Sequence, residues 1–444
     1  MLVPAHIFKK NDIRGLLAEV TVEIARQTGM ALVDITNAKK IVVGRDMRST
    51  SPALAKAAIE GITAMGVDVL DIGQCTTSLF NFAVSSQADV DAGLMVTASH
   101  NPAEYNGIKC AWANGLPISG TDFLPLMTQE YGLAKVMGQV EDGGLLDEYI
   151  DFCLAGVDVR DFAGTKVVID YGNGMGALTV RKLAKKLGLE AVELYAEPDA
   201  RFPNHEANPA KEETLTDIKA AVLREGADFG IALDGDADRV AFIDNEGVSL
   251  RGDQTLALLA SVVLASHPEA KVIVAPNQSW ATREAITGAG GECVEVAVGR
   301  TTVIRAMHDT GALLGGELSS HFMFAESHNL EAVDLAIVKI LALWKESGMA
   351  FADLVRPLRA MSNSGEVNIE VHDKESALGR LESMFVADAT FVNRLDGIRC
   401  EYGRDWWFLV RASNTEPILR LIVEAKSEEL MKEKRDELAA IIKA

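Results

Sequence analysis

The stretch KIVVGRDMRSTSPALAKAAIEGITAMGVDVLDIG, residues 40–73, decides the fold. It opens on an apolar run of strand length, continues with apolar residues at helical spacing, and closes on a second β-rich run. Two strands joined by a helix argue for a parallel pair, because parallel strands need a crossover of about that length to bring the chain back to the same end of a sheet. Ser51 before Pro52 is the expected helix start: a serine oxygen can accept from free helix-end amides, and proline in the first turn sacrifices no bond.

The same alternation recurs twice. TKVVIDYGNGMG (165–176) leads into ALTVRKLAKKLG (177–188), and KVIVAPN (271–277) leads through SWATREAITGAG (279–290) to ECVEVAVG (292–299). The last part changes rhythm: EVNIEV, the helical ESALGRLESMFV, DWWFLVRAS, PILRLIVEAK and a charged terminal helix read as α+β. The expected fold class is therefore α/β, with three similar α/β domains of mixed, largely parallel sheets and a smaller C-terminal α+β domain around a central cleft. Expected segments are 1–149, 150–245, 246–357 and 358–444; no Pro/Gly/Ser linker marks them.

Composition narrows the function. The chain of 444 residues is too long for a single core, and 48% hydrophobic with 24% charged residues describes a folded protein. A formal charge of -21 opposes nucleic acid and anionic membranes, so any anionic substrate needs a locally positive site. Five cysteines at 75, 110, 153, 293 and 400 form no C-x-x-C pair, which speaks for free thiols in a reducing compartment. The N-terminus lacks a signal-peptide core, and LALLASVVLA (256–265) is about half a membrane span, so a cytoplasmic location is expected.

The chemistry starts with IALDGDADRVAFID, residues 231–244, which reads strand, acidic loop, strand. Asp234, Asp236 and Asp238 can converge if the backbone between them turns sharply, and three hard oxygen donors suit Mg²⁺ or Ca²⁺ rather than zinc. An EF-hand needs glycine and glutamate where Arg239 and Asn245 stand. Three solvated aspartates in a turn are the plainer alternative, but between apolar strands their repulsion calls for a cation or an arginine.

Three other segments carry anion-binding groups. RASNTEP places Arg411, Ser413, Asn414 and Thr415 just past an apolar strand, where a guanidinium, hydroxyls and loop amides can meet one phosphate. NDIRG carries Arg14 beside a glycine. IDYGNGMGA satisfies a G-x-G-x-x-A dinucleotide fingerprint through Gly172, Gly174 and Ala177, with Glu197 or Asp199 where a ribose-binding acid belongs, which keeps an NAD-dependent oxidoreductase open. In TASHNP, Ser99 sits at the C-terminal end of a strand, where open α/β sheets bind ligands. Side chains of adjacent residues usually diverge, so His100 is expected to orient the loop rather than to form a dyad with Ser99.

TASHNPAEYNGIK (97–109), DGDADR (234–239), GGELSSH (315–321) and RASNTEP (411–417) together resemble the four active-site loops of the α-D-phosphohexomutase family, in that family's order, one per domain. The resemblance spans the chain, including NDIRG and RFPNHEANP (201–209), and is closest to the bacterial phosphomannomutase/phosphoglucomutase branch, whose last loop reads S-N-T.

The resemblance implies that phosphate moves between O6 and O1 of a hexose, mannose or glucose, through a phosphoserine and a hexose 1,6-bisphosphate that turns over in the site. Ser99 would carry the phosphoryl group and join Asp234, Asp236 and Asp238 around Mg²⁺. Arg14, Lys109 and Arg239 match positions near the transferring group, with Lys109 and His321 for proton transfer. Glu317 and Ser319 would bind sugar hydroxyls, and Arg411, Ser413, Asn414 and Thr415 the other phosphate. Its partners would be small sugar phosphates, with no nucleic acid or membrane, in a monomer or homodimer.

The chain departs from the branch at Ala297–Arg300, where Lys-Thr-Gly-His is common, at Asn277, where relatives have arginine, and at Ala325, where a basic residue is usual. One wall of the site is expected to be less basic, with Arg300 and Arg305 as compensation. Phosphoglucosamine or another sugar phosphate as substrate, and a low-turnover sugar-phosphate-binding protein, stay open as alternatives.

Overall fold

The computed structural model describes residues 3–413 and 417–444. In the first sheet the strands run in the order Ile13–Leu16, Tyr105–Trp112, Ala92–Val96, Lys40–Arg45, Asp68–Gln74, Val140–Asp142. The first two pairings are antiparallel and the last three parallel. Lys40–Arg45, the helix Ser51–Ala64 and Asp68–Gln74 form the βαβ unit that the apolar periodicity predicts.

Ser51 does not cap that helix. Its hydroxyl donates to Asp46 Oδ1 at 2.5 Å, Thr50 holds the capping position with its hydroxyl accepting from Asn106 Nδ2 at 2.8 Å rather than from a helix amide, and Pro52 stands in the first turn. Ser51 is the first residue inside the helix, and its buried hydroxyl is taken up on both sides, donating to the Asp46 carboxylate and accepting from Asn106 Nδ2 at 3.1 Å.

The second sheet orders Val240–Asp244, Phe229–Leu233, Lys166–Asp170 and Glu190–Leu194, with one antiparallel and two parallel pairings. The helix Gly176–Leu187 crosses between its parallel strands and stops at Gly188, whose φ of 67° is the left-handed conformation that ends helices.

In the third α/β region, Lys271–Val274 pairs in parallel with Glu292–Glu295 and Leu314–Gly316, while Phe322–Phe324 and Leu330–Glu331 form an antiparallel pair. The C-terminal sheet is wholly antiparallel, and its core packs against the helices Lys374–Phe385 and Glu428–Lys443. Three α/β domains with mixed sheets and a smaller C-terminal domain are thus the architecture.

By contact the chain divides differently, into residues 1–255 with 319–352 and residues 256–318 with 353–444. In the first unit, Tyr149 Oη donates to Asp334 at 2.9 Å in a fully buried pair. In the second, the Arg399 guanidinium lies 3.7 Å over the Trp407 ring and donates to the Pro276 and Gln278 carbonyls at 2.5 and 2.9 Å. Beside it, Glu424 accepts from the Trp280 backbone and the Trp407 indole at 3.1 and 2.9 Å.

All five cysteines are free thiols. Among the described residues, no helix is long and apolar enough to cross a membrane.

Candidate active site

The strand Ala92–Val96 runs out into Thr97, whose Oγ1 accepts the Ser99 amide at 2.9 Å, and Ser99 takes a φ of 52°. That left-handed turn is unfavourable for a residue with a β-carbon and persists only when its surroundings enforce it. Its effect is to aim the side chain: Ser99 Oγ lies 3.0 Å from Asp234 Oδ2 and 3.2 Å from His100 Nδ1. The expected divergence of Ser99 and His100 fails here, because the left-handed backbone brings both side chains to one side. Burial, then the Arg239 and Arg14 charges, push the His100 imidazole down to about 2, so it stands neutral beside the serine.

Asp234, Asp236 and Asp238 occupy the turn between the antiparallel strands Phe229–Leu233 and Val240–Asp244, all buried, with one ligand oxygen from each within 4.8 Å of the others. Asp234 Oδ1 shapes the turn by accepting the amides of Asp238 and Arg239 at 3.0 and 3.2 Å, and Ala237 completes it at a φ of 53°. Asp236 Oδ2 accepts from Thr77 Oγ1 at 2.6 Å, and the Lys109 ammonium bridges Asp236 and Asp238 at 2.7 Å each.

Burial and the two neighbouring carboxylates hold Asp234 well above the usual carboxylate range. Asp238 is held well below it, its own burial outweighed by Lys109, His321 and Arg239. Asp236 Oδ1 is buried with no hydrogen-bond partner among the described residues. An orphaned carboxylate oxygen in a converging trio of hard donors fits Mg²⁺, which takes carboxylates and keeps oxygen ligands.

The remaining residues of this unit close around the trio. Arg14, on the edge strand Ile13–Leu16, donates to Asn101 Oδ1 at 2.8 Å and pairs with Asp12. His321 Nε2 stands 3.3 Å from Asp238 Oδ1 and 3.2 Å from Arg239 Nε, so it can give a proton to one or accept from the other, not both. Ser319 Oγ lies 3.0 Å from His321 Nδ1, and Ser320 has a φ of 70°.

Glu317, Arg411 and Ser413 belong to the second unit. Glu317 is buried, Arg411 pairs with Glu366 at 3.0 Å, and the Ser413 carbonyl accepts from Lys374 at 2.7 Å. Asn414 and Thr415 lie outside the described residues. Of the departing positions, Asn277 is buried with Oδ1 unpartnered among the described residues, and the Val298 amide donates to Asp396.

The glycine turn 172–176 has another occupant than a pyrophosphate. The Met175 amide donates to the Gly235 carbonyl at 2.8 Å, and a β-carbon on Gly174 would stand 2.7 Å from that oxygen. Its glycines let the second domain's helix approach the carboxylate turn. Asp199, expected near a ribose, instead pairs with Arg201.

Sequence reasoning missed Thr77, Asp46 and Arg48. Thr77 opens the helix Thr77–Ser86 and donates to Asp236 from both its hydroxyl and its amide, the latter at 2.7 Å to the carbonyl. Asp46 and Arg48 carried no local signal, since the same βαβ run also holds Lys40, Arg45, Lys56, Glu60, Asp68 and Asp71.

Family models for phosphoglucomutase/phosphomannomutase match the chain in succession: α/β/α domain I over residues 5–123, domain II over 147–247, domain III over 251–360 and the C-terminal domain over 366–441. A phosphomannomutase of Salmonella montevideo is 36% identical over 441 residues, covering 95% of each chain. A probable phosphoglucosamine mutase of Methanopyrus kandleri is 35% identical, covering 98% of this chain and 97% of that one. The crystal structure of a phosphoglucomutase/phosphomannomutase family protein from Burkholderia thailandensis superposes with a TM-score of 0.90 at 29% identity, covering 99% and 98%. The chain therefore belongs to the phosphoglucomutase/phosphomannomutase family of α-D-phosphohexomutases and is a hexose phosphate mutase, an intramolecular phosphotransferase.

Proposed function

We propose that this enzyme interconverts the 6- and 1-phosphates of mannose and glucose with Ser99 as the phosphoryl carrier. The reading is carried by one observation: Ser99 Oγ lies 3.0 Å from Asp234 Oδ2 at the edge of the carboxylate trio. Mg²⁺, held by Asp234, Asp236, Asp238 and Ser99, would supply charge neutralisation for phosphoryl oxygens.

In the forward step the Ser99 Oγ–P bond breaks as a sugar hydroxyl oxygen bonds to phosphorus, giving the hexose 1,6-bisphosphate. Reversal with the other phosphate returns the group to Ser99. Such transfer depends mainly on positioning and charge, which Arg14, Lys109 and Arg239 provide around the transferring group. Lys109, ion-paired to two carboxylates, suits donation of a proton to the departing Ser99 oxygen; His321 suits acceptance of the proton from the attacking hydroxyl. Glu317 and Ser319 are assigned to sugar hydroxyls, and Arg411, Ser413, Asn414 and Thr415 to the phosphate that is not transferred. The segments 1–149, 150–245, 246–357 and 358–444 would then each contribute one loop.

Glucosamine phosphate is the second reading, because the Methanopyrus kandleri relative matches almost as well as the Salmonella montevideo one. A coupled assay on mannose 1-phosphate, glucose 1-phosphate and glucosamine 1-phosphate, with Mg²⁺ and hexose 1,6-bisphosphate, separates the readings. Turnover of the first two supports the proposal, preference for the third favours the second reading, and no turnover with Ser99 phosphorylated overturns both in favour of sugar-phosphate binding.

A further inference from the structure

Asp46 and Arg48 take no part in the chemistry above, yet both are 1% exposed at the end of the strand Lys40–Arg45. Arg48 Nη1 donates to the carbonyls of Pro102 and Tyr105 at 2.7 and 2.9 Å, and Nη2 donates to those of Ser99, at 2.9 Å, and Asn101. One guanidinium thus satisfies four carbonyls of the seven-residue segment that carries Ser99.

Asp46 fixes the guanidinium in turn. Its Oδ2 lies 3.2 Å from Arg48 Nε, and its Oδ1 accepts the Arg48 amide at 3.0 Å and the Ser51 hydroxyl at 2.5 Å. The Asp46 amide donates to the Val96 carbonyl at 2.9 Å, tying the pair to the strand that delivers Ser99. On its open face, Arg48 Cζ stands 5.2 Å from the centre of the Phe202 ring, which the RFPNHEANP segment supplies. A flat cation capped by an aromatic face and forked into carbonyls uses geometry that lysine lacks.

Burying such a pair is a poor way to gain stability, since desolvation offsets most of the attraction. Burial drives Asp46 up and Arg48 down, each toward its neutral form. A buried pair of this kind is better explained by what it orients than by what it stabilises.

We propose that Arg48 is a positioning residue: with Asp46 and Phe202 it holds segment 99–105 in the one shape that presents Ser99 Oγ to the carboxylate trio. The inference rests on Ser99 as the phosphoryl carrier and adds the reason its strained turn persists.

The test compares full-length wild type with Arg48→Lys and Phe202→Leu, each checked for folding by thermal melting. A misplacement near 1 Å should lower the kcat of Arg48→Lys about 100-fold while KM for hexose 1-phosphate stays within about threefold. Phe202→Leu should lose less, about three- to tenfold, since it removes only the aromatic face. Amide exchange of residues 99–105 should quicken in Arg48→Lys, with the rest of the first sheet unchanged, a readout that does not need turnover. Guanidinium ion should restore part of the kcat of Arg48→Ala where equal sodium chloride does not.

Wild-type kcat and unchanged exchange in folded Arg48→Lys would overturn the inference. So would a loss expressed only in KM. If Ser99→Ala keeps full turnover, the carrier assignment fails instead, and the exchange measurement still decides whether Arg48 orders the segment.

Discussion

Gly235 lies so close to Ser99 that a β-carbon on it would stand 2.6 Å from the Ser99 carbonyl oxygen. The contact joins the carboxylate turn to the serine turn, backbone against backbone, and neither side can yield by rotating a side chain. Gly235→Ala should therefore push the turns apart, lowering kcat about 100-fold at a stability cost of about 1–3 kcal/mol. Turnover measured beside a denaturation curve checks both parts; near wild-type kcat would show that the turns need not meet.

Ser99→Ala removes the hydroxyl that donates to Asp234 and leaves the fold, since the side chain supports no core packing. Turnover should fall to below about one thousandth of wild type, the scale on which losing a covalent carrier acts. The melting temperature should stay near wild type, and mass spectrometry should find no phosphorylation at this position.

Asp236→Asn deletes one charge from the trio while keeping its size. The Mg²⁺ concentration for half-maximal activity should rise at least about tenfold, read from titrations of the chelator-stripped enzyme. An unchanged Mg²⁺ dependence would remove Asp236 from the metal set.

Asp334 gives a pH prediction away from the site. Burial raises its pKa to about 6, against the hydrogen bond from Tyr149. A carboxyl raised on folding binds its proton more tightly in the native state, so its contribution favours folding at low pH and is lost as pH climbs from about 4 to about 6. Every tenfold gain in proton affinity on folding is worth about 1.4 kcal/mol. Asp334→Asn should thus gain stability relative to wild type between pH 4.5 and 7.5, by about 2–3 kcal/mol. Urea titrations at the two pH values measure the difference; a constant offset would contradict it.

Arg399→Met should destabilise the second unit by about 3–5 kcal/mol, because it strips the buried cation from a cluster in which Glu424 is fully buried and Glu401 partly so. Amide exchange should show residues 271–278 and 398–410 losing protection together.

The βαβ periodicity of residues 40–73 made the first sheet legible, and the Asp234–Asp238 spacing made the carboxylate turn legible, because each depends on neighbours in sequence. What stayed hidden depends on distant partners. Arg14 gains meaning only when Ile13–Leu16 pairs with Tyr105–Trp112 in the register that sets Arg14 opposite Gly107. Thr77 reaches Asp236 across 159 positions, and the pairing of Ser99 with His100 needs a backbone angle that a serine seldom adopts. The dinucleotide-like glycine turn misleads for the same reason: its spacing reports a close approach of backbone, and only the fold says that the approaching group is Gly235 rather than a ligand.

Ser99, Ala237 and Ser320 all bend the chain in a left-handed sense. Breeding this enzyme for heat resistance alone would reward glycine at such places whenever relief of torsion outweighs the looser unfolded chain. Hardier proteins would emerge with blunted chemistry, so any directed-evolution campaign on this scaffold has to select for turnover and endurance in the same round.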